Sequence, residues 1–130
     1  FNMAAAEWIN YYPDKHFSST IVDKISLWLN LNPIRAWISC VRPGYYAPWH
    51  WDVDDNELEY LKGGDINRYS CFISKSSHGH IFMLGQDYLF NQHQGDLYKW
   101  NDHREWHSGI NASMEPKFMF HLLGHPNIDH

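Results

Sequence analysis

Cysteine is scarce in this chain, with only Cys40 and Cys71 among 130 residues. Two cysteines cannot build a stapled scaffold or a four-thiolate zinc site, and each sits in an apolar, strand-like run. Both are expected to be reduced thiols. Positive charge is also short: 10 Lys and Arg face 15 Asp and Glu, for a formal charge of -5 and a pI near 6.0. A nucleic-acid-backbone binder carries a basic face, so a nucleic-acid partner is not expected. No apolar run reaches bilayer-crossing length and no basic–apolar signal segment opens the chain, so no membrane partner is expected and the expected location is cytoplasmic. Neither an internal repeat nor a low-complexity linker is present. The chain opens on Phe1 rather than Met, which leaves room for a longer parent.

What is there is one domain's worth of sequence, with 7 Trp, 8 Tyr and 7 Phe to bury. The first third reads helical, over 1–33. Thr20-Ile21-Val22-Asp23 has capping-box spacing, and Ile21, Ile25 and Trp28 recur at helical intervals until Pro33. A shorter helix is expected from Ala4 to Asn10. From Arg35 the period changes to that of strands, through about position 124. Ala36–Val41, Arg68–Ser74, His80–Leu84, Asp87–Phe90, Asp96–Trp100, Glu105–Ile110 and Lys117–Leu123 are strand candidates, punctuated by Gly79, Gly85, Gly95 and Asn101-Asp102. The expected fold is a single α+β domain, mainly β with N-terminal helices, built around a β-sandwich or jelly roll. The polar stretch from Val53 to Asn67 reads as a solvated loop or as a lid.

His50-Trp51-Asp52 carries the chemistry. On a strand, residues two apart share a face, so His50 and Asp52 can converge on one metal ion. One more histidine completes a two-His, one-carboxylate set that leaves adjacent positions open, as non-haem Fe(II) oxygenases require. Ten histidines compete for that place. His78-Gly79-His80 lacks a following Glu at a fitting distance, and His103 lacks a Cys pair for zinc. His16, His125 and His130 read as surface residues, and His121 as able to face the interior. His107 stands out because Lys117 follows it. If Glu105–Ile110 and Lys117–Leu123 pair as neighbouring strands, Lys117 points into the cavity that His107 opens, and a dicarboxylic cosubstrate needs such a cation.

Five segments then carry a resemblance: Ile38 to Gly44, Pro48-Trp49-His50, Arg68-Tyr69-Ser70, Gly95 through Trp106-His107, and Lys117 to Phe120. In order and spacing they resemble the aspartyl/asparaginyl β-hydroxylase branch of the Fe(II)/2-oxoglutarate dioxygenases, over roughly Arg35 to Gly124. The resemblance implies a double-stranded β-helix, a cupin-like jelly roll, with Fe(II) at its mouth and 2-oxoglutarate and O2 as cosubstrates. It matches His50 and His107 to metal histidines, and Ser39, Arg68, Ser70 and Lys117 to cosubstrate-binding positions. Animal members lack the carboxylate two residues after the first histidine, whereas Asp52 is present here, which favours hydroxylation over halogenation. Lys117 stands where Arg is usual, and offers a point charge in place of a two-toothed grip.

The implied activity is hydroxylation of a small-molecule or peptide substrate, an amino-acid side chain favoured, with no protein acid or base beyond the metal ligands. Tyr45, Trp49 and Trp51 are the candidate substrate-pocket residues. They belong to an aromatic cluster with Tyr46, Trp100 and Trp106 that reads equally as core. The acidic stretch from Asp52 to Glu59 points to a cationic substrate. The alternatives are a non-catalytic cupin-like module binding a metal or a sugar, and a purely structural domain.

Overall fold

The structure, a computed structural model, describes residues 6–11, 20–52, 54, 56–75 and 77–127, with side chains from residue 21 onward. The strands are β1 (Ala6–Tyr11), β2 (Leu31–Val41), β3 (Tyr46–His50), β4 (Asn67–Phe72), β5 (His80–Leu84), β6 (Asp87–Leu89), β7 (Leu97–Lys99), β8 (His107–Asn111) and β9 (Lys117–Pro126). Two helices accompany them, α1 (Thr20–Leu29) and α2 (Glu57–Leu61). The strands form two antiparallel sheets, in the orders β1-β2-β9-β4-β7 and β3-β8-β5-β6. No described helix is long and apolar enough to cross a membrane.

Three expectations about the N-terminal third change. Ala6–Tyr11 is a strand rather than part of a helix, because its backbone pairs along β2 from Ala6↔Val41 to Tyr11↔Ala36; pairing overrides the helical preference of its alanines. Asn30, not Pro33, ends α1. It takes the left-handed conformation (φ 56°) that closes a helix, and its side chain donates to the Asn127 carbonyl at 2.8 Å. Pro33 lies inside β2, at a register shift and beyond the reach of β1, where its missing N–H costs no ladder bond. The buried face of α1 is also rotated from that expected: Val22 and Ser26 are buried, while Ile21 and Trp28 face outward.

β9 is the spine of the larger sheet. It is buried on both faces, so its sequence reads as an almost unbroken apolar run. Phe120 and Leu122 pack with Val22, Leu31 and Ala36 beneath α1. Met119, on the alternate face, packs with Phe72, Phe82, Leu84 and Trp100 between the sheets. That second face also carries Lys117 and His121, so strand alternation delivers two polar groups into the interior.

β8 and β9 do not pair as neighbours. β8 runs between β3 and β5, whereas β9 runs between β2 and β4, so the chain crosses from one sheet to the other between them. Asn111 holds the crossing. Fully buried, its amide donates to the Val41 and Glu115 carbonyls (2.8 and 2.7 Å) and its oxygen accepts from Ser113 N and Oγ. Lys117 therefore enters the interior from the sheet opposite His107.

Leu122, with 0% exposure, is the test of this two-faced core. Leu122→Ala is expected to cost about 2–5 kcal/mol in chemical denaturation. An unchanged midpoint would mean that the α1 side of β9 is not core.

Candidate metal centre

β3 and β8 bring the two histidines together. They pair antiparallel, and His50 lies directly across from His107, with ring centroids 4.3 Å apart. A register shift between Ala47 and His50, where Pro48 can donate no ladder bond, sets the orientation of the strand end. Asp52 follows two residues later. Its Oδ1 lies 3.2 Å from His50 Nε2 and 3.5 Å from His107 Nε2, and one ligand atom from each of the three lies within 4.8 Å of the others.

The far ring nitrogens are already committed. His50 Nδ1–H donates to the Pro48 carbonyl, and His107 Nδ1–H donates to that of Glu105 at 2.9 Å. Those bonds fix the tautomer and turn both Nε2 atoms toward Asp52, as a metal site requires. Two imidazoles and one carboxylate oxygen suit a divalent transition metal, and the residues present fit the iron that the sequence implies.

Arg68 holds the other half of Asp52. Its Nη1 lies 2.8 Å from Asp52 Oδ2, leaving Oδ1 for the histidines, and it also donates to the His103 carbonyl at 3.3 Å. The guanidinium is buried between the rings of Trp100 (3.6 Å) and Trp37 (4.9 Å). Burial alone would raise the Asp52 carboxyl, but hydrogen bonds from His107 and His50 and the Arg68 charge hold it far below the carboxylate range. Burial lowers His107, while the hydrogen bond to Asp52 raises His50. Without a metal, a proton on His50 Nε2 stabilises the carboxylate; a metal would replace it.

The remaining expected cosubstrate residues divide. Trp100 Nε1–H donates to Ser70 Oγ at 2.8 Å, so the single O–H of Ser70 donates to His121 Nδ1 at 2.7 Å. His121 Nε2–H then donates to Ser39 Oγ at 3.0 Å, and its ring stacks on Trp37 at 5.0 Å. Burial, then the nearby Arg68 charge, keep this histidine well below its ordinary pKa, consistent with the neutral tautomer. Ser70 Oγ is thus engaged by Trp100 and His121, while among the described residues the O–H of Ser39 has no acceptor. Sequence reading reached His121 only as an interior residue, because the network spans three strands.

Lys117 has no such partner. Its side chain is buried, its Nζ lies 5.4 Å from the Phe82 ring, and a Cβ added at Gly109 would come within 3.2 Å of it. Among the described residues no carboxylate pairs with it, and burial lowers its pKa to about 7. Arg68, by contrast, is engaged by Asp52.

The stretch from Val53 to Asn67 is a clasped cap, not a free loop. Asp54 pairs with Arg35 at 3.2 Å, Glu59 with Lys62 at 2.9 Å, and Glu57 on α2 with His103 at 2.8 Å and with Arg104. The hydrogen bond from Arg104, then that from His103, hold Glu57 below its ordinary pKa. Asp54, Glu57 and Glu59 are thus each paired within the protein; Val53 and Asp55 lie outside the described residues, as do His16 and His130. His125 bonds the Asp65 carbonyl through Nδ1 at 3.0 Å. Of the aromatic cluster only Trp100 is core; Tyr45, Tyr46, Trp49, Trp51 and Trp106 are exposed.

No protein-family model and no curated protein matches the chain. Solved structures do. The viral collagen prolyl hydroxylase of Paramecium bursaria Chlorella virus 1, solved as its 2OG complex, is 14% identical, with a TM-score of 0.62 over 94% of this chain and 80% of that one. The Cupin_2 domain of an XRE-family transcriptional regulator from Enterobacter cloacae is 11% identical, with a TM-score of 0.56 over 94% and 98%. An S161A mutant of Bacillus subtilis oxalate decarboxylase is 14% identical, at 0.58 over 97% and 27%. The fold is a cupin-type double-stranded β-helix. At such identities the likeness establishes that fold and no branch within it.

Lys117 also makes a prediction about pH. The unfolded chain keeps the lysine proton to about 10.5 and the folded chain releases it near 7, so between those values the unfolded state binds more protons. The burial penalty, complete below about pH 7, is relieved as pH rises toward 10.5. Wild-type stability should therefore climb relative to that of Lys117→Met across this window in denaturant titrations; parallel profiles would contradict it.

Proposed function

We propose that this chain is a non-haem Fe(II)- and 2-oxoglutarate-dependent oxygenase that hydroxylates an amino-acid side chain, in a peptide or free. The observation that carries the reading is the combination of a three-donor cluster, His50, Asp52 and His107, with an unpaired buried ammonium from the facing sheet. Either alone is common. Together they match a ligand that chelates a metal at one end and bears a carboxylate at the other. The placement in the aspartyl/asparaginyl β-hydroxylase branch rests on the sequence segments alone.

In this reading His50 Nε2, Asp52 Oδ1 and His107 Nε2 hold the metal. Iron with 2-oxoglutarate and O2 supplies the oxidising power for hydroxylation, with succinate and CO2 as coproducts. The protein's own tasks are orientation and exclusion. The Pro48 and Glu105 carbonyls keep each imidazole neutral at the metal side. Arg68 holds Asp52 Oδ2, so that Oδ1 would be the oxygen offered to the metal. Lys117 draws the distal carboxylate inward, exchanging an unpaired charge for a charge-assisted hydrogen bond. The Ser39 hydroxyl is the second cosubstrate donor.

Anaerobic titration with Fe(II) and 2-oxoglutarate should produce a weak visible charge-transfer band, and admission of O2 should convert 2-oxoglutarate to succinate across a panel of peptides and amino acids. His50→Ala, Asp52→Ala and His107→Ala should abolish both. Lys117→Met should raise the 2-oxoglutarate requirement by about 10- to 100-fold, the worth of one charged hydrogen bond. Arg68→Ala should weaken metal affinity by about 10- to 100-fold while the histidines remain. Metal binding with neither band nor succinate would overturn the reading and leave a cupin-like metal- or sugar-binding module.

A further inference from the structure

On the outer side of the β3–β8 pair the two residues next to the histidines make a second feature. Trp49 precedes His50 and Trp106 precedes His107, so alternation turns both indoles away from the metal ligands. They remain 46% and 47% exposed, yet they stack on each other at 6.3 Å with an interplanar angle of 20°. Two large aromatics held parallel at a surface cost hydration that their partial burial does not recover, which marks them as a binding platform.

The platform walls a cleft of about 440 Å³ that Gln86, Asp102, Arg104 and Glu105 complete. The charges decide what fits. The Arg104 guanidinium is taken by Glu57. Asp102 Oδ1 accepts from the Arg104 backbone N–H at 2.8 Å and lies 3.7 Å from His103 Nδ1, whereas Glu105 has no Lys, Arg or His within ion-pair distance among the described residues and its Oε2 is buried without a hydrogen-bond donor. The Glu105 carboxylate lies against Gly85, whose positive φ (58°) and missing Cβ let it sit there: an added Cβ would fall 2.1 Å from Oε1. A carboxylate with a buried oxygen that lacks a donor is costly, and the attraction of a cation in the cleft offsets part of that cost. Trp faces are the strongest aromatic partners for a cation. Two indoles beside the unpaired Glu105 carboxylate therefore suit a basic side chain better than a neutral sugar, which could stack but would leave that carboxylate unmet.

We infer that the Trp49–Trp106–Glu105 cleft is an exosite for a lysine or arginine side chain of a polypeptide, on the opposite face of the strands that carry His50 and His107. That the bound polypeptide is the substrate rests on the oxygenase reading; the binding itself does not. A polypeptide crossing the rim beside β3 and β8 would have its basic residue fixed outside while a neighbouring residue faces the metal centre. A positive charge on the substrate would thus find a partner in Glu105.

The test uses metal-free protein, so turnover plays no part. The probe is a capped glycine peptide with one central lysine, compared with the same peptide carrying norleucine or glutamate, and the readout is the NMR shift of the indole N–H groups. The lysine peptide should move the Trp49 and Trp106 signals and bind about tenfold more tightly than the norleucine peptide. Binding should weaken with salt and in Glu105→Gln and Trp49→Ala, the latter a surface change that preserves the fold. His50→Ala should leave it intact. Equal binding of the norleucine or glutamate peptide, preference for a simple sugar, or indifference to both Trp49→Ala and Glu105→Gln would overturn the inference. Succinate formation without lysine-peptide binding would refute the exosite alone; lysine-peptide binding without succinate would refute the oxygenase alone.

Discussion

The Asp52 carboxylate is the constraint on which the rest of the centre depends. One oxygen faces two imidazole nitrogens and the other is held by a buried guanidinium at 2.8 Å. A carboxylate shared this way cannot swing to chelate a metal with both oxygens. Arg68 in turn is placed by β4 and clamped by indoles from β2 and the end of β7. The charge of the centre thus continues without a break into the aromatic core. A buried pair of this kind is weak evidence for stability; its value lies in fixing geometry.

The two sheets divide the labour. The smaller sheet supplies the paired histidines at the adjoining ends of β3 and β8. The larger sheet supplies the groups that face them: Arg68 on β4, Lys117 and His121 on β9, Ser39 and Trp37 on β2. Such facing placement is what a cupin-type β-helix offers, since each inner face is lined by alternate residues of antiparallel strands. The hydrogen-bonded path from Trp100 through Ser70 and His121 to Ser39 gives each of these side chains a partner. Among the described residues, Arg68 Nε on β4 is left without a hydrogen-bond partner and Lys117 on β9 has no carboxylate beside it.

How much of this could be read from the sequence follows from what is local. The two-residue spacing of His50 and Asp52 is local, although β3 ends at His50 and Arg68 holds Asp52 beyond it, and His80–Leu84 stands as a strand with the expected bounds because its period and flanking glycines are local too. Choosing His107 through Lys117 rests on the premise that their strands are neighbours; the strands belong to different sheets instead, and both side chains lie near the Phe82 ring, at 5.4 Å for Lys117 Nζ and 6.4 Å for the His107 ring. Ala6–Tyr11 misreads as helix because pairing with β2 is a non-local reward that alanine propensity hides. The surplus acids near α2 look free in sequence because Arg35, His103 and Arg104, which neutralise them, come from distant segments. Ser70 and His121 are illegible for the same reason.

The most direct measurement is diffraction from crystals grown anaerobically with Mn(II), a redox-silent stand-in for iron, and 2-oxoglutarate. The account predicts one strong anomalous peak within bonding distance of His50 Nε2, Asp52 Oδ1 and His107 Nε2, with the distal carboxylate of the cosubstrate on the Lys117 ammonium and Arg68 still on Asp52. A metal bound elsewhere, or a cosubstrate that leaves the lysine unpaired, would contradict it.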